Sequence, residues 1–366
     1  MTVEGQGFAP RWASPPGETI RDVLEQRGLS QAAFAKAIGL PLPRLTGLLS
    51  GGEMISIDLA RRIADSIGGS VEFWLARDGQ YREDLSRVEA DGWAQSMPTS
   101  QMAAFGWIHR PMDWKEQITS CLGFFDVRDV TEWRNTYGMM LERARFRVSD
   151  RARVDVSATA VWLRKAEADA RQLACAPWDR GAFQGVLPEL RRLSLISDPR
   201  KFVPRLVSDC AAVGVAVVVL RAPSGCPASG VARYLQPARP HIALSARYLS
   251  DDHFWFSFFH EAAHLLLHDA QSVYVDDLDW RDVVMSSEER EADELATTLL
   301  VPTHVRERLP RKRPTPAQLH KLANDAGVSS GVLVGQLQHA GIVGFDSVFN
   351  RLKRRYRWEG TTLERA

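Results

Sequence analysis

Two histidines four residues apart with a glutamate between them, His260-Glu261-Ala262-Ala263-His264, are the residues of this sequence best suited to do chemistry. On an α-helix, positions i and i+4 are neighbours on one face, so both imidazoles can reach a single ion. Zinc takes imidazole nitrogen readily and, in a catalytic site, keeps three protein ligands and one open position. Glu261 follows the first histidine and would stand beside that open position. A carboxylate there can take a proton from a water whose pKa the ion has lowered to roughly 7, then pass it to a leaving amine. The third ligand has to come from elsewhere in the chain. EEREADELATTLL reads as a helix with carboxylates at its start, and its Glu289 lies 25 residues after His264, enough for a returning helix. Asp293, one turn later, would share the face of Glu289 and hydrogen-bond a ligand imidazole. His268 extends the His260/His264 face but sits about 6 Å farther along the helix, so it is expected to support the site or the core rather than ligate.

Plainer explanations exist for some of these residues. As ordinary core histidines, His260 and His264 would flank a buried glutamate with nothing to compensate its charge. Glu289 closes a Ser286-x-x-Glu289 capping box, which by itself accounts for a glutamate at a helix start. Glu288 and Glu291 are competing carboxylates. On the residues alone, both roles stay open for Glu289.

The elements that must hold these groups are visible around them. FWFSFFHEAAHLLLH predicts a strongly apolar helix over about 252–268, which would embed the ligands in a core. VGVAVVVL (213–220) is a continuous apolar, valine-rich run bounded by Pro223-Ser224-Gly225 and predicts a buried strand. SGVARYLQ (229–236) and HIALS (241–245) predict a further pair. HIALS, just before the metal helix, is expected at a sheet edge where an extended substrate backbone can pair. Residues 269–294 carry ten acidic side chains against two basic. Within them, the segment 269–285, with Asp276, Asp277, Asp279 and Asp282, is either a lid favouring a basic target or a solvated loop.

The string FWFSFFHEAAHLLLH followed by EREADELATTLLVP resembles the ImmA/IrrE metallopeptidases, and SGVARYLQPARPHIALSARYLSDD is similar to the region upstream of their motif. The resemblance covers roughly residues 200–305, and more weakly 120–200. In that family and its gluzincin-like relatives, the two histidines and the first glutamate of an E-x-x-A-[DN] motif bind zinc. By resemblance these are His260, His264 and Glu289, with Glu261 as base and Asp293 at the motif's last position. It further implies limited cleavage of a regulatory protein, a DNA-binding repressor or antitoxin, in stress-response or toxin–antitoxin control. The groups that would stabilise the oxyanion are not legible; Tyr274 and His304 are the candidates.

Residues 17–80 predict a set of short helices punctuated by Gly28, Gly39 and Gly51-Gly52, with Ser30 as a cap. GETIRDVLEQRGLSQAAFAKAIGLPLPRLTGLLSGG resembles the Xre/Cro-type helix-turn-helix, and with SIGGSVEFWLARDGQY it is similar to HigA-type antitoxins. By resemblance Gln31 approaches phosphate and the third helix enters the major groove. Among the residues placed to read bases, Pro41, Leu42, Pro43 and Gly47 offer no hydrogen-bonding side chain, leaving Arg44 and Thr46. Seven basic residues face eight acidic ones over 17–80, whereas a DNA-binding face should be positive. Docking of a protein or homodimerisation is therefore an equal reading. The C-terminal 305–366 holds twelve basic residues against five acidic. It would either grip phosphates or close the peptidase domain, the second being favoured.

Bulk properties exclude other classes. No apolar run approaches the ~20 residues a bilayer span needs, and MTVEGQGFAPRW lacks the features of a signal peptide. Cys121, Cys175, Cys210 and Cys226 form no C-x-x-C pair, which fits a reducing cytoplasm. The expected architecture is a multidomain α+β protein. It comprises an all-α helix-turn-helix at 17–80, a helical linker at 81–199, a small gluzincin-like zinc-peptidase domain with a short β-sheet at 200–305, and a basic C-terminal helical segment at 306–366. The expected function is zinc-dependent limited proteolysis of a protein partner. The alternative is a DNA-binding regulator or antitoxin that uses the peptidase fold as a sensor or scaffold, which would not need Glu261. Cleavage of the chain only by itself is a third.

Overall fold

Serine caps and left-handed glycines divide the N-terminal sequence into helices. The structure, a computed structural model, describes residues 12–138, 155–268, 287–310 and 314–366. Helix α1 (Pro16–Gln26) starts on a proline, whose missing N–H costs nothing in a first turn. α2 (Gln31–Ala37) and α4 (Ile57–Ile67) are capped by the hydroxyls of Ser30 and Ser56, each accepting a backbone N–H at 3.2 Å. α3 (Leu42–Leu49) lies between them and ends at Gly51, whose φ of 82° suits glycine alone. α5 (Val71–Gln95) begins at the Ser70 cap and runs on without a break, so a boundary at residue 80 falls inside a helix. The apolar stripes converge on one core containing Ile20, Leu24, Phe34, Ile38, Leu45, Leu48, Ile63, Ile67 and Trp74. Each fully buried side chain of this kind contributes about 1.5–3 kcal/mol. These elements belong to one packing unit; residues 97–110 and 120 onward form a second.

The second unit opens with helices, among them α6 (Thr99–Ala104), α7 (Trp114–Phe125), α8 (Val130–Trp133), α9 (Val156–Gln172), α10 (Arg180–Arg192) and α11 (Pro199–Ala211). α7 begins on the N-terminal side of the unit boundary. A three-stranded mixed sheet follows: β1 (Ala216–Val219), β2 (Gly230–Gln236) and β3 (Arg239–Leu244). Its order is β1-β3-β2, with β1 parallel and β2 antiparallel to β3. All three predicted strands form, but the expected edge is wrong. HIALS lies in the centre of the sheet, hydrogen-bonded on both sides, and β1 and β2 are its outer strands. The parallel crossover from β1 places β3 beside it, and the short turn after Gln236 then forces β2 to the outside.

The metal helix α12 (Asp251–Leu267) packs against this sheet, and α13 (Ser287–Leu300) returns along it. α14 (Thr303–Arg306), α15 (Pro316–Ala326) and α16 (Ser330–His339) follow, and the chain closes in a hairpin, β4 (Tyr356–Glu359) with β5 (Thr362–Arg365). Thr315 and Gln318 form a capping box for α15, and Gly327 ends it at a φ of 70°. The last residues of the basic C-terminal segment are thus strand rather than helix. One core runs from Phe183 through Phe202, Trp255, Phe258 and Leu333 to Phe349, Tyr356 and Leu363, with no break in packing at 200 or 305. Among the described residues no helix is long and apolar enough to cross a membrane.

Candidate metal centre

α12 is held at both ends before it presents any ligand. At its N-terminus the fully buried Asp251 accepts hydrogen bonds from the backbone N–H groups of Asp252 and Arg354, both at 3.0 Å, and from the Ser329 hydroxyl at 2.7 Å. Asp252 pairs with the buried Lys353 ammonium at 2.6 Å and accepts from the Ser250 hydroxyl at 2.7 Å. Backbone bonds from Asp251 N to Arg354 O and from Tyr356 N to Leu249 O complete the clamp. Carboxylates also suit the positive end of the helix dipole. At the C-terminal end, the His268 Nε2 donates to the Glu288 carbonyl at 3.1 Å, tying the end of α12 to the start of α13.

Between these anchors the two helices bring His260, His264 and Glu289 together. The Nε2 atoms of the histidines lie 2.9 Å apart, and Glu289 Oε2 is 3.1 Å from His260 Nε2 and 3.5 Å from His264 Nε2. Asp293, one turn after Glu289 on α13, sits with Oδ1 2.8 Å from His260 Nδ1. That Nδ1–H donates to the carboxylate, which fixes the tautomer and leaves the Nε2 lone pair facing inward. Three electron-pair donors at such distances repel one another unless a cation or a proton sits among them. Burial pushes the His264 imidazole below its ordinary pKa despite the neighbouring carboxylate, favouring the neutral form that binds metal. Burial alone would raise the Glu289 carboxyl, but its closeness to the His260 and His264 imidazoles outweighs that and holds it at about 2. Two imidazoles and one carboxylate are a donor set that zinc accepts.

Glu261 is fully buried on α12. It lies so close to β2 that a Cβ on Gly230 would stand 2.6 Å from its Oε1 and 2.8 Å from its Cγ. Of the competing carboxylates, Glu291 is exposed, and neither it nor Glu288 belongs to the ligand cluster. His304 is exposed on α14. Tyr274, Ser286 and the acidic segment 269–285 lie outside the described residues. Reading the sequence missed Gly230 and the Asp251–Asp252 anchor. A glycine inside a strand pattern is the one signal of a close backbone approach that was available.

The helix-turn-helix residues occupy different surroundings. Gln31 is exposed at the first position of α2. On α3 the Arg44 guanidinium pairs with Glu53, its Nε donating at 3.2 Å, and the Thr46 hydroxyl donates to its own helix at Leu42 O, 3.1 Å. In the C-terminal segment Lys353 engages Asp252 and Gln338, Arg354 donates to the Ser194 carbonyl at 2.6 Å, and Arg357 bonds Glu364 at 2.7 Å. Lys353 and Arg354 thus close the domain around the start of α12, while Arg357 pairs within the closing hairpin.

Comparison with known proteins agrees with this division. Residues 213–337 match the family model of the IrrE N-terminal-like domain, a peptidase family, and residues 20–74 match that of a helix-turn-helix domain. No curated protein and no solved structure matches the chain. The protein therefore joins an Xre-like helix-turn-helix domain to a peptidase domain of the IrrE/ImmA-like family.

Proposed function

We propose that this protein is a zinc-dependent endopeptidase that cuts a regulatory protein, a DNA-binding repressor or antitoxin, at a restricted site in the cytoplasm. The observation that carries the reading is the convergence of His260, His264 and Glu289, with Asp293 setting the His260 tautomer and Glu261 buried one residue from the first ligand. A zinc ion held by these three residues would supply Lewis acidity, polarising a carbonyl and making a water acidic near neutral pH. The chain supplies the rest. Glu261 accepts the proton of the attacking water and delivers it to the leaving amine. Asp293 keeps the His260 lone pair aimed inward, and His268 holds α13 in register with α12. The outer edge of β2, the strand beside Glu261, is where an extended peptide would pair.

Four free cysteines, Cys121, Cys175, Cys210 and Cys226, support a reducing compartment. The helix-turn-helix is read as the module that brings the substrate, because Arg44 and Thr46 are engaged within their own domain and that region has no basic excess. DNA bound through Gln31 is the second reading. The test is incubation of wild type and Glu261→Gln with lysate containing the neighbouring regulators. Cleavage by wild type alone supports the proposal, and equal cleavage by both removes Glu261 as the base.

A further inference from the structure

We infer that Gly230 is a positioning residue for Glu261: the missing side chain on the edge strand is the space in which the carboxylate lies. This rests on the peptidase reading for its consequence in catalysis, but the contact itself is independent of it.

The local backbone does not require a glycine at this position. Gly230 pairs with Leu244 in regular antiparallel register, and its φ lies outside the left-handed range that reserves a position for glycine. Gly230 opens β2, where a glycine still costs backbone entropy and side-chain packing. Local structure therefore favours any other residue here. Against that stands the surrounding space. A Cβ at this position would meet Glu261 Oε1 at 2.6 Å, Cγ at 2.8 Å and Cδ at 3.0 Å, so all three nearest atoms belong to one side chain. Separations below 3.0 Å are not tolerated by real carbon atoms, so Glu261 would have to leave.

It has little room to do so. Glu261 is fully buried on a helix anchored at both ends, with Ala262, Phe258 and Leu265 of the same helix packed in the core. The face of β2 at Gly230 therefore acts as a wall against which the carboxylate is laid. The outer edge of the same strand is where an extended substrate would pair, so one glycine sets the distance of the base from the strand that would receive the peptide.

The test is a double-mutant cycle on the full chain with Gly230→Ala, Glu261→Ala and the pair, read by thermal unfolding, metal content and kinetics. In the presence of Glu261, Gly230→Ala should lower the Tm by about 4–8 °C. In the Glu261→Ala background the clashing atoms are gone, and the same change should be neutral or raise the Tm, as alanine for strand glycine ordinarily does. If the substitution unfolds the chain only when Glu261 is present, the conclusion is the same. Equal Tm loss in both backgrounds, or none in the first, overturns the assignment. In turnover, Gly230→Ala should keep its bound zinc and its KM while kcat falls about 10²-fold; a raised KM with kcat intact would show that the glycine serves peptide entry instead. Should wild type cleave nothing, the stability cycle still decides the contact, so failure of the peptidase reading and failure of this inference are separable.

Discussion

Replacing Asp251 with asparagine should remove a pH dependence built into the anchor of the metal helix. The Asp251 carboxyl is pushed up from 3.8 to about 6, chiefly by burial. The Ser329 hydroxyl and the Arg354 N–H oppose that rise, while the neighbouring Asp252 adds to it. The groups that face it are Asp252 with its Lys353 partner, Arg354 and the Tyr356 phenol. A carboxyl with a raised native pKa binds its proton more tightly when folded, so its contribution is complete below about pH 4 and is lost as pH rises through about 6. Roughly two pKa units at 1.36 kcal/mol each amount to roughly 3 kcal/mol. The helix dipole favours the charged form by only about 0.3–1 kcal/mol, too little to reverse the sign. Asparagine fits the same place: its oxygen keeps both backbone N–H bonds and its amide can donate to Ser329 Oγ. The difference in stability between wild type and Asp251→Asn, followed by denaturant unfolding from pH 4.5 to 7.5, should therefore move toward the variant as pH rises. Titrations common to both proteins, those of the metal ligands included, cancel in that difference. About 2 kcal/mol of the total falls between pH 4.5 and 7.5, a Tm change of about 4–8 °C. A difference that stays flat with pH, or that moves toward wild type on the alkaline side, would refute the reasoning.

Two further substitutions probe other elements. Asp293→Ala should weaken metal binding about 10–100-fold without unfolding the domain, because it releases the His260 tautomer and no ligand; competition with a chromogenic chelator measures this, and unchanged affinity would take Asp293 out of the site. Gly17→Ala should destabilise the helix-turn-helix domain by about 1–3 kcal/mol, since the new Cβ would run into the backbone of Leu49 where α1 crosses α3; amide hydrogen exchange of α1 and α3 would show it, and unchanged protection would contradict that close crossing.

Much of this arrangement is legible locally. The four-residue spacing of His260 and His264 specifies a shared helical face, and the apolar residues around them specify burial. Ser30 and the glycines at 28, 39 and 51 announce the helix-turn-helix in the same local way. What could not be read depends on partners distant in sequence. Strand order is one case, since a three-stranded sheet with correctly placed strands still leaves open which of them is central. The roles of Lys353 and Arg354 are another: in sequence they belong to a basic run, and only the fold shows that Asp252 and Asp251 receive them. The length of α5 was missed because nothing near residue 80 breaks a helix and Gly79 is tolerated within it. Glu289 had two open explanations in sequence, and in the structure its Oε2 stands within hydrogen-bond distance of His260 Nε2.

The central claim is that two imidazoles and one carboxylate hold a catalytic metal ion, and native mass spectrometry with elemental analysis tests it most directly. Wild type and Glu261→Gln, purified without added metal or chelator, should each carry one zinc per chain, and Glu289→Gln should carry far less. Zinc in neither of the first two proteins, or full occupancy in the Glu289 variant, would contradict the account.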